Sequence, residues 1–160
     1  MPRVAARSPV KPVNYQPMFT AEDADRFSAA EVRQAIAYWV GQDKLDVADA
    51  LVAAGVAMYP NSEDILAIGA LVAEVNQDWA QAQDCLEKLI EIQGDSAAAE
   101  CWHHLVRVLR CRSSFFQAFI KAGIAVKAFP AHQGLRQAHA ELTQLMESVT
   151  AQVTIEAQAV

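Results

Sequence analysis

The sequence predicts an all-α protein, for three reasons. Alanine, the residue with the highest intrinsic helix propensity, supplies 31 of the 160 residues, whereas glycine and proline supply six each. Hydrophobic residues make up 53% of the chain and recur at intervals of three and four in seven successive segments, as along one face of a helix. Short turn sequences separate these segments. The length suits one domain, which we expect over 20–149 after a proline-containing leader, 1–19.

The first long helix is expected to begin at a capping box. The Ser28 hydroxyl can accept an amide of the first turn, and the carboxylate of Glu31 can reach back to the Ser28 backbone. Gly41 is expected to end this helix. A shorter helix, capped by the sequence 20–23, is expected before it. The inward positions of the long helix share helical spacing and are Val32, Ala35, Ile36 and Trp39.

Turn sequences delimit the next three helices. The second is expected over about 45–58 and is ended by the Tyr-Pro-Asn sequence 59–61. The third begins at Ser62 and ends at the turn 76–78, and the fourth stops at Gly94. Their inward positions are mostly aliphatic or small. They are Val47, Ala48, Leu51, Ala54 and Gly55 in the second helix, Ile65, Leu66, Gly69, Val72 and Ala73 in the third, and Trp79, Ala82, Cys85, Leu86, Leu89 and Ile90 in the fourth.

The last three helices follow the same pattern. Asp95 or Ser96 is expected to cap the fifth helix. The turn 112–114 is expected to separate the fifth helix from the sixth and to cap the sixth, and Pro130 is expected to end the sixth helix. Residues 150–160, which thin out into Ala, Gln and Thr, are expected to fray. The inward positions are Trp102, Leu105, Val106 and Leu109, then Phe115, Ala118, Phe119, Ala122, Ala125 and Val126, then Leu135, Ala138, Leu142, Leu145, Met146 and Val149.

Two independent sets of markers indicate that the helices form repeating hairpins. One set is the helix breakers that close each hairpin, and the other is an alanine early in the second helix of each hairpin. Both sets are spaced by 34 and then 36 residues; they are Pro60, Gly94 and Pro130, and Ala48, Ala82 and Ala118. Because the same two-residue excess appears in both sets, we interpret the spacing as a repeat. An irregular α-bundle whose breakers recur by chance is the alternative.

A helix–turn–helix unit of 34 residues resembles the tetratricopeptide repeat. The third unit, counted from Ala99, matches that family best; its matching positions are Trp102 at 4, Leu105 at 7, Ala118 at 20, Ala122 at 24, Ala125 at 27 and Pro130 at 32. The first two units, counted from about Ala29 and Glu63, lack tryptophan at position 4, and Gly94 replaces proline in the second. The resemblance covers 29–130. It implies a right-handed superhelical array of three hairpins, with the seventh helix as a C-terminal cap.

The resemblance also implies a binding groove. In tetratricopeptide repeats the first helix of each unit lines a concave surface, typically through positions 2, 5, 9 and 12. The residues that we select at these positions are Arg33, Ala37, Leu71, Glu74, His103, Arg107 and Arg110. They predict a groove that is apolar in the middle and basic at its C-terminal end, which suits an extended or helical partner segment with an apolar anchor and acidic residues. The leader, 1–19, is expected to be flexible because its prolines disfavour a helix; the alternative is an extended segment that docks on a partner or in the protein's own groove, with Tyr15 and Phe19 as anchors.

Composition argues against several other functions. The chain carries a net charge of −6, and since residues 1–20 carry +3, the rest carries −9, which repels nucleic-acid phosphates. No apolar run reaches the roughly 18 residues of a membrane span, and the N-terminus lacks the apolar core of a secretory signal. Cys85, Cys101 and Cys111 form no CxxC motif, so we expect reduced thiols in a cytoplasmic protein.

Neither catalysis nor metal binding has a sequence signature. His103 and His104 lie beside Cys101, but adjacent residues of a helix point about 100° apart, so the two histidines do not chelate one ion. The sequence has no nucleophile elbow, phosphate loop, dinucleotide-binding glycine pattern or calcium loop. We therefore expect a protein that is not an enzyme and that needs no cofactor or metal.

These observations favour a non-catalytic adaptor or chaperone that binds a partner protein. A small, acidic protein with about three repeats and a proline-rich leader is also similar to the helical-repeat chaperones of bacterial type III secretion, which gives a narrower hypothesis. Two alternatives remain open. One is a structural protein that assembles into homo-oligomers, and the other is an enzyme built on an irregular helical scaffold.

Overall fold

The computed structural model describes residues 27–158, with side chains as far as 154. The helices in this range are α1 (Ala29–Gly41), α2 (Leu45–Met58), α3 (Glu63–Val75), α4 (Trp79–Gln93), α5 (Ala99–Cys111), α6 (Phe115–Ala128) and α7 (Gln133–Gln158). A 3-10 turn, Gly94–Ser96, joins α4 to α5. The leader, 1–19, with Tyr15 and Phe19, and the cap predicted at 20–23 lie outside the described residues.

Successive helices pack as hairpins. α1 packs on α2, α3 on α4 and α5 on α6, while α7 packs against α6 and α5. This order confirms the predicted array of three hairpins followed by a seventh helix. Two buried clusters form the core, and α3 contributes to both, with Ile65 and Val72 in one and Leu66, Ala70 and Ala73 in the other. α3 therefore joins the first hairpin to the rest of the array.

Small residues lie where helices approach most closely. The repeated alanines are all fully buried; they are Ala48, Ala82 and Ala118. A Cβ added to Gly55 would lie 3.1 Å from Cγ1 of Val32, and one added to Gly69 would lie 3.1 Å from Cγ1 of Val52. Larger side chains at these positions would push neighbouring helices apart, because the core is already packed to contact. The regular spacing of these alanines in the sequence therefore reflects the close packing of the helices.

A third repeating marker lies in the turn within each hairpin. Asp43, Gln77 and Ser113 have φ of 56°, 58° and 58°, in the left-handed region. They are spaced by 34 and 36 residues, like the other two markers. In each turn the next residue donates its amide to a carbonyl five residues back, at 2.8 to 3.0 Å; these bonds join Lys44 to Trp39, Asp78 to Ala73 and Ser114 to Leu109. The three hairpins thus share one turn geometry, although none of the three left-handed residues is glycine.

The predicted cap of α5 is wrong. Ser96 lies in the 3-10 turn with Asp95, and its hydroxyl donates to the carbonyl oxygen of Gln93 at 2.6 Å. Ala98 occupies the N-cap position of α5 and provides no side-chain hydrogen bond. The cause is Gly94, which ends α4 with a φ of 53° and leads into the extra turn. α5 consequently begins further along the chain than either predicted cap allows.

Two predicted inward regions and the tail also differ from expectation. Phe115 is exposed because it is the first residue of α6, ahead of the part that reaches the core. Leu145 and Val149 are exposed because α7 has 26 residues, whereas α5 has 13 and α6 has 14. The tail, 150–160, continues α7 as far as Gln158, since neither glycine nor proline interrupts it.

The capping box of α1 is confirmed and has a testable energetic effect. The amide of Glu31 donates to Oγ of Ser28 at 3.3 Å, and the amide of Ser28 donates to Oε2 of Glu31 at 2.8 Å. The amide of Ser28 and its hydroxyl, which donates to the same carboxylate oxygen at 2.7 Å, hold the pKa of Glu31 below its usual value. Ser28→Ala is expected to lower the free energy of unfolding by about 1 kcal/mol, because an amide of the first turn loses its acceptor. Urea denaturation followed by circular dichroism measures this loss.

Ser114 provides a matched control for that substitution. It occupies the equivalent N-cap position of α6 but makes no side-chain capping bond, so the prediction that its hydroxyl caps this helix is wrong. Its ψ of 54° lies outside the extended conformation that Ser28 adopts, at 158°. Ser114→Ala should therefore lower stability much less than Ser28→Ala. If both variants lose the same free energy of unfolding, the capping bond of α1 does not stabilise the protein.

Candidate functional site

Two adjoining cavities lie along the first helices of the second and third hairpins. One has a volume of about 360 Å³ and is lined by Leu71, Glu74, Val75, Trp79, Arg107 and Cys111. The other has a volume of about 370 Å³ and is lined by Arg107, Arg110, Cys111 and Phe115. Because they share Arg107 and Cys111, the two cavities form one continuous depression. We name this depression, defined by the residues of both linings, the α3–α5 groove.

One wall of the α3–α5 groove is apolar. Leu71 and Val75 lie one turn apart on α3, and their exposed fractions are 52% and 58%. Trp79, at the start of α4, and Phe115, at the start of α6, extend the apolar surface. Neighbouring exposed aliphatic and aromatic side chains of this kind favour an apolar ligand group, since they remain in contact with water in the free protein.

The charged groups of the groove are paired within the chain. The side chain of Glu74 is only 9% exposed; its carboxylate accepts a hydrogen bond from Arg107 and lies 3.0 Å from Nδ1 of His104. Arg110 forms a second ion pair, with 3.0 Å between its Nη2 and Oε2 of Glu141. In both cases an arginine of α5 meets an acid of another helix, which is Glu74 of α3 or Glu141 of α7. The C-terminal end of the groove is therefore close to neutral, and the prediction that it is basic is wrong.

The second ion pair also affects the acid that takes part in it. A hydrogen bond from Gln137 and the positive charge of Arg110 hold the pKa of Glu141 below its usual value. Glu141 therefore stays ionised near neutral pH and balances Arg110. Glu141 lies on α7, which the sequence predicted only as a capping helix. The charge that compensates Arg110 was therefore not predicted.

The structure brings together four of the seven predicted groove residues. Leu71, Glu74, Arg107 and Arg110 line the α3–α5 groove, as just described. Arg33 and Ala37 are exposed on α1 and line neither cavity. The site residues that sequence reasoning missed are Val75, Trp79, Cys111 and Phe115. A spacing of four residues was the available signal for two of them, since Val75 follows Leu71 and Cys111 follows Arg107 by one helical turn.

His103 lies between α5 and α7. Its ring centroid is 5.4 Å from that of His132, and a Cβ added to Gly134 would lie 2.9 Å from its ring atoms. Burial, followed by the electrostatic influence of the neighbouring His132 and His104 rings, lowers the pKa of His103 below its ordinary value. This histidine contributes to the packing of α7 and lines neither cavity of the α3–α5 groove.

Two of the three cysteines in the described part of the chain have thiols that resist ionisation. Burial raises the pKa of the Cys85 and Cys101 thiols, so neither is held as a reactive thiolate. Among residues 27–154 no group of three or more His, Cys, Asp or Glu side chains is placed to hold a metal ion. No helix within the described range is long and apolar enough to cross a membrane.

The repeated hairpins, their shared turn geometry and the groove along their first helices define a tetratricopeptide-like helical-repeat fold. The fold is similar to MamA structures: MamA MSR-1 superposes with a TM-score of 0.66 at 21% identity, over 79% of this chain and 71% of that one. MamA AMB-1 gives 0.68 at 20% identity, over 79% and 68%. The sequence itself matches no protein-family model and no curated protein.

Peptide-bound tetratricopeptide domains show the same fold. The second such domain of human RPAP3, in complex with an HSP70 peptide, superposes with a TM-score of 0.61 at 11% identity, over 72% of this chain and 94% of that one. The first such domain of Spaghetti (RPAP3), bound to the HSP90 peptide SRMEEVD, gives 0.62 at 11% identity, over 74% and 93%. These similarities establish the fold of the present chain.

Proposed function

We propose that the protein is a non-catalytic interaction module that binds a segment of a partner protein in the α3–α5 groove. The observation that carries this proposal is the exposed pair Leu71 and Val75 beside Trp79, at a cavity of about 360 Å³. Small exposed apolar surfaces next to a concavity are typical of peptide-binding sites. The binding of HSP70 and HSP90 peptides by RPAP3 domains of this fold supports the same reading.

The partner segment is extended or helical and enters with an apolar side chain. Its anchor packs against Leu71, Val75 and Trp79, which are the apolar groups of the cavity of about 360 Å³. Arg107 and Arg110 remain partly exposed although each is paired with an acid. A guanidinium has five N–H donors and one carboxylate occupies at most two, so both arginines can still donate to partner carbonyls.

The charge of the groove does not favour a strongly acidic partner. In the groove Glu74 balances Arg107, and Glu141 balances Arg110. Long-range attraction of an acidic segment needs uncompensated positive charge, and this groove has little. We therefore expect the acidic HSP90 peptide SRMEEVD to bind weakly here, although it binds the RPAP3 domain.

A library of random displayed peptides, selected on the purified protein, tests the proposal. Enriched peptides should carry Leu, Phe or Trp, and Leu71→Asp should weaken their binding at least about tenfold, because a charge would be placed against the anchor. Fluorescence anisotropy with the synthetic peptides measures this change. A selection that yields no apolar anchor motif, or peptides that bind Leu71→Asp as well as the wild type, would contradict the proposal.

Ile124→Asp is the matched control. Ile124 lies on α6, is 49% exposed and lines neither cavity, so the same kind of charge enters at a similar exposure away from the groove. Its peptide affinities should equal those of the wild type. The narrower hypothesis of a type III secretion chaperone, and the cytoplasmic location, stay predictions; co-expression with secretion substrates tests the first.

A further inference from the structure

The inner face of α7 continues beyond the body of the array. In its first half, Leu135, Ala138 and Leu142 are 0%, 5% and 2% exposed. In its second half the same face carries Leu145, Val149 and Val153, which are 37%, 49% and 59% exposed. The exposed stripe of α7, as we name these last three residues, is therefore an extension of a core-facing surface.

The stripe is exposed because α7 is longer than the helices against which it packs. α7 has 26 residues, while α5 and α6, against which it packs, have 13 and 14. Its second half thus projects past the ends of both. No other helix of the range 27–158 packs against α7 to the same extent, so this half lacks the tertiary support that stabilises the first.

An isolated helical segment of this length and composition is marginally stable by itself. Val149, Thr150, Val153 and Thr154 are β-branched, which lowers helix propensity. The two threonine hydroxyls donate to carbonyl oxygens four residues back, at 2.8 and 2.9 Å, and such bonds do not strengthen a helix. Burial of the stripe against another helix would supply the missing stabilisation.

The charge of this segment and the spacing of its apolar residues favour a second copy of this chain as the occupant. The net charge is −6, so two copies repel over most of their surface. Between Leu142 and Thr154, however, Glu147 is the only ionisable residue, and two residues along a helix place it on the side away from Val149. Leu142, Leu145, Val149 and Val153 follow at intervals of three, four and four, the spacing of a helix–helix seam. Such a seam is complementary to itself across a two-fold axis.

We propose that the second half of α7 pairs with the same segment of another copy through the exposed stripe and forms a two-fold dimer. Three side chains from each copy make a small interface, so the dimer is weak and its population depends on concentration. The groove lies on α3, α5 and the starts of α4 and α6, and none of its lining residues belongs to α7.

Sedimentation velocity over about a hundredfold range of protein concentration tests the proposal. The wild-type mass should rise from that of a monomer towards twice that value. Val149→Glu should remain monomeric over the same range, because two carboxylates would meet at the seam. Gln144→Glu, which adds the same charge to an exposed position on another side of α7, should dimerise like the wild type.

Two results would overturn the proposal. One is a wild-type protein that stays monomeric throughout, as it would if another part of the same chain covered the stripe. The other is a dimer that survives in both Val149→Glu and Val153→Glu, which would place the interface elsewhere. Circular dichroism confirms that each variant is folded, and two separate stripe variants guard against a local loss of helix in one. Leu71→Asp should dimerise normally, so this test is independent of peptide binding in the groove.

Discussion

Replacing Leu105 with alanine is expected to lower the free energy of unfolding by about 2–5 kcal/mol, the largest stability effect that we predict for a single side chain. Leu105 is 0% exposed and belongs to the cluster shared by α3 to α7. Removal of its side chain loses the transfer free energy of the buried carbons and leaves a cavity that neighbouring hairpins cannot close without moving. Urea denaturation followed by circular dichroism gives the free energy directly.

Leu71→Ala is the control, since it deletes the same atoms from a side chain that is 52% exposed. Its effect on unfolding should stay within about 0.5–1 kcal/mol, as is usual for surface positions. The same variant should bind groove peptides more weakly. The two substitutions therefore separate folding from binding, and similar losses of stability in both would refute the assignment of Leu105 to the core and Leu71 to the groove.

Local signals explain why much of the fold could be predicted. Helix breakers and caps act within a few residues, so α2 has the predicted bounds 45–58, and Ser28 caps α1 as expected. The repeat was visible because close packing demands small residues at fixed intervals, as at Ala82 and Ala118. The left-handed turn residues were not recognised in the same way, because Gln77 and Ser113 are not residue types that favour this conformation, although the conformation recurs in each hairpin.

The site was harder to predict than the fold, because it depends on which repeat surfaces meet. Glu74 and Arg107 are 33 residues apart, and Arg110 and Glu141 are 31 apart, so no local pattern shows that they neutralise each other. Position within the repeat selected Leu71, which lines the cavity of about 360 Å³, but it also selected His103, which lies against α7. Helical periodicity identifies the exposed side of a helix, whereas a neighbouring helix decides which part of that side is open.

Substitution of Glu74 by alanine is expected to lower the free energy of unfolding by about 1–3 kcal/mol. The carboxylate is 9% exposed and interacts with both Arg107 and His104, which belong to the next hairpin. The loss should be smaller than for a fully buried ion pair, because Arg107 is more than half exposed and can be solvated when its partner is removed. Glu141→Ala breaks the other, more exposed pair and should change stability little.

The same substitution should alter the selectivity of the groove. Without Glu74 the positive charge of Arg107 is uncompensated, and the groove carries one net positive charge near Leu71. Binding of the acidic peptide SRMEEVD should then become tighter at low salt and weaken as salt is added, because the new attraction is screened. Fluorescence anisotropy at two ionic strengths measures both effects, and an unchanged affinity would show that charge pairing does not set the partner preference.

A double-mutant cycle with Arg107→Ala decides whether the pair itself is responsible. Arg107→Ala leaves the carboxylate of Glu74 poorly exposed with only His104 as a partner, so this single change is costly because a charge loses its compensation. When both residues are alanine, no unpaired charge remains. The double variant should therefore lose less stability than the sum of the two single losses. Additive losses would mean that the two side chains do not interact in solution, and that Arg107 is free to meet an acidic partner after all.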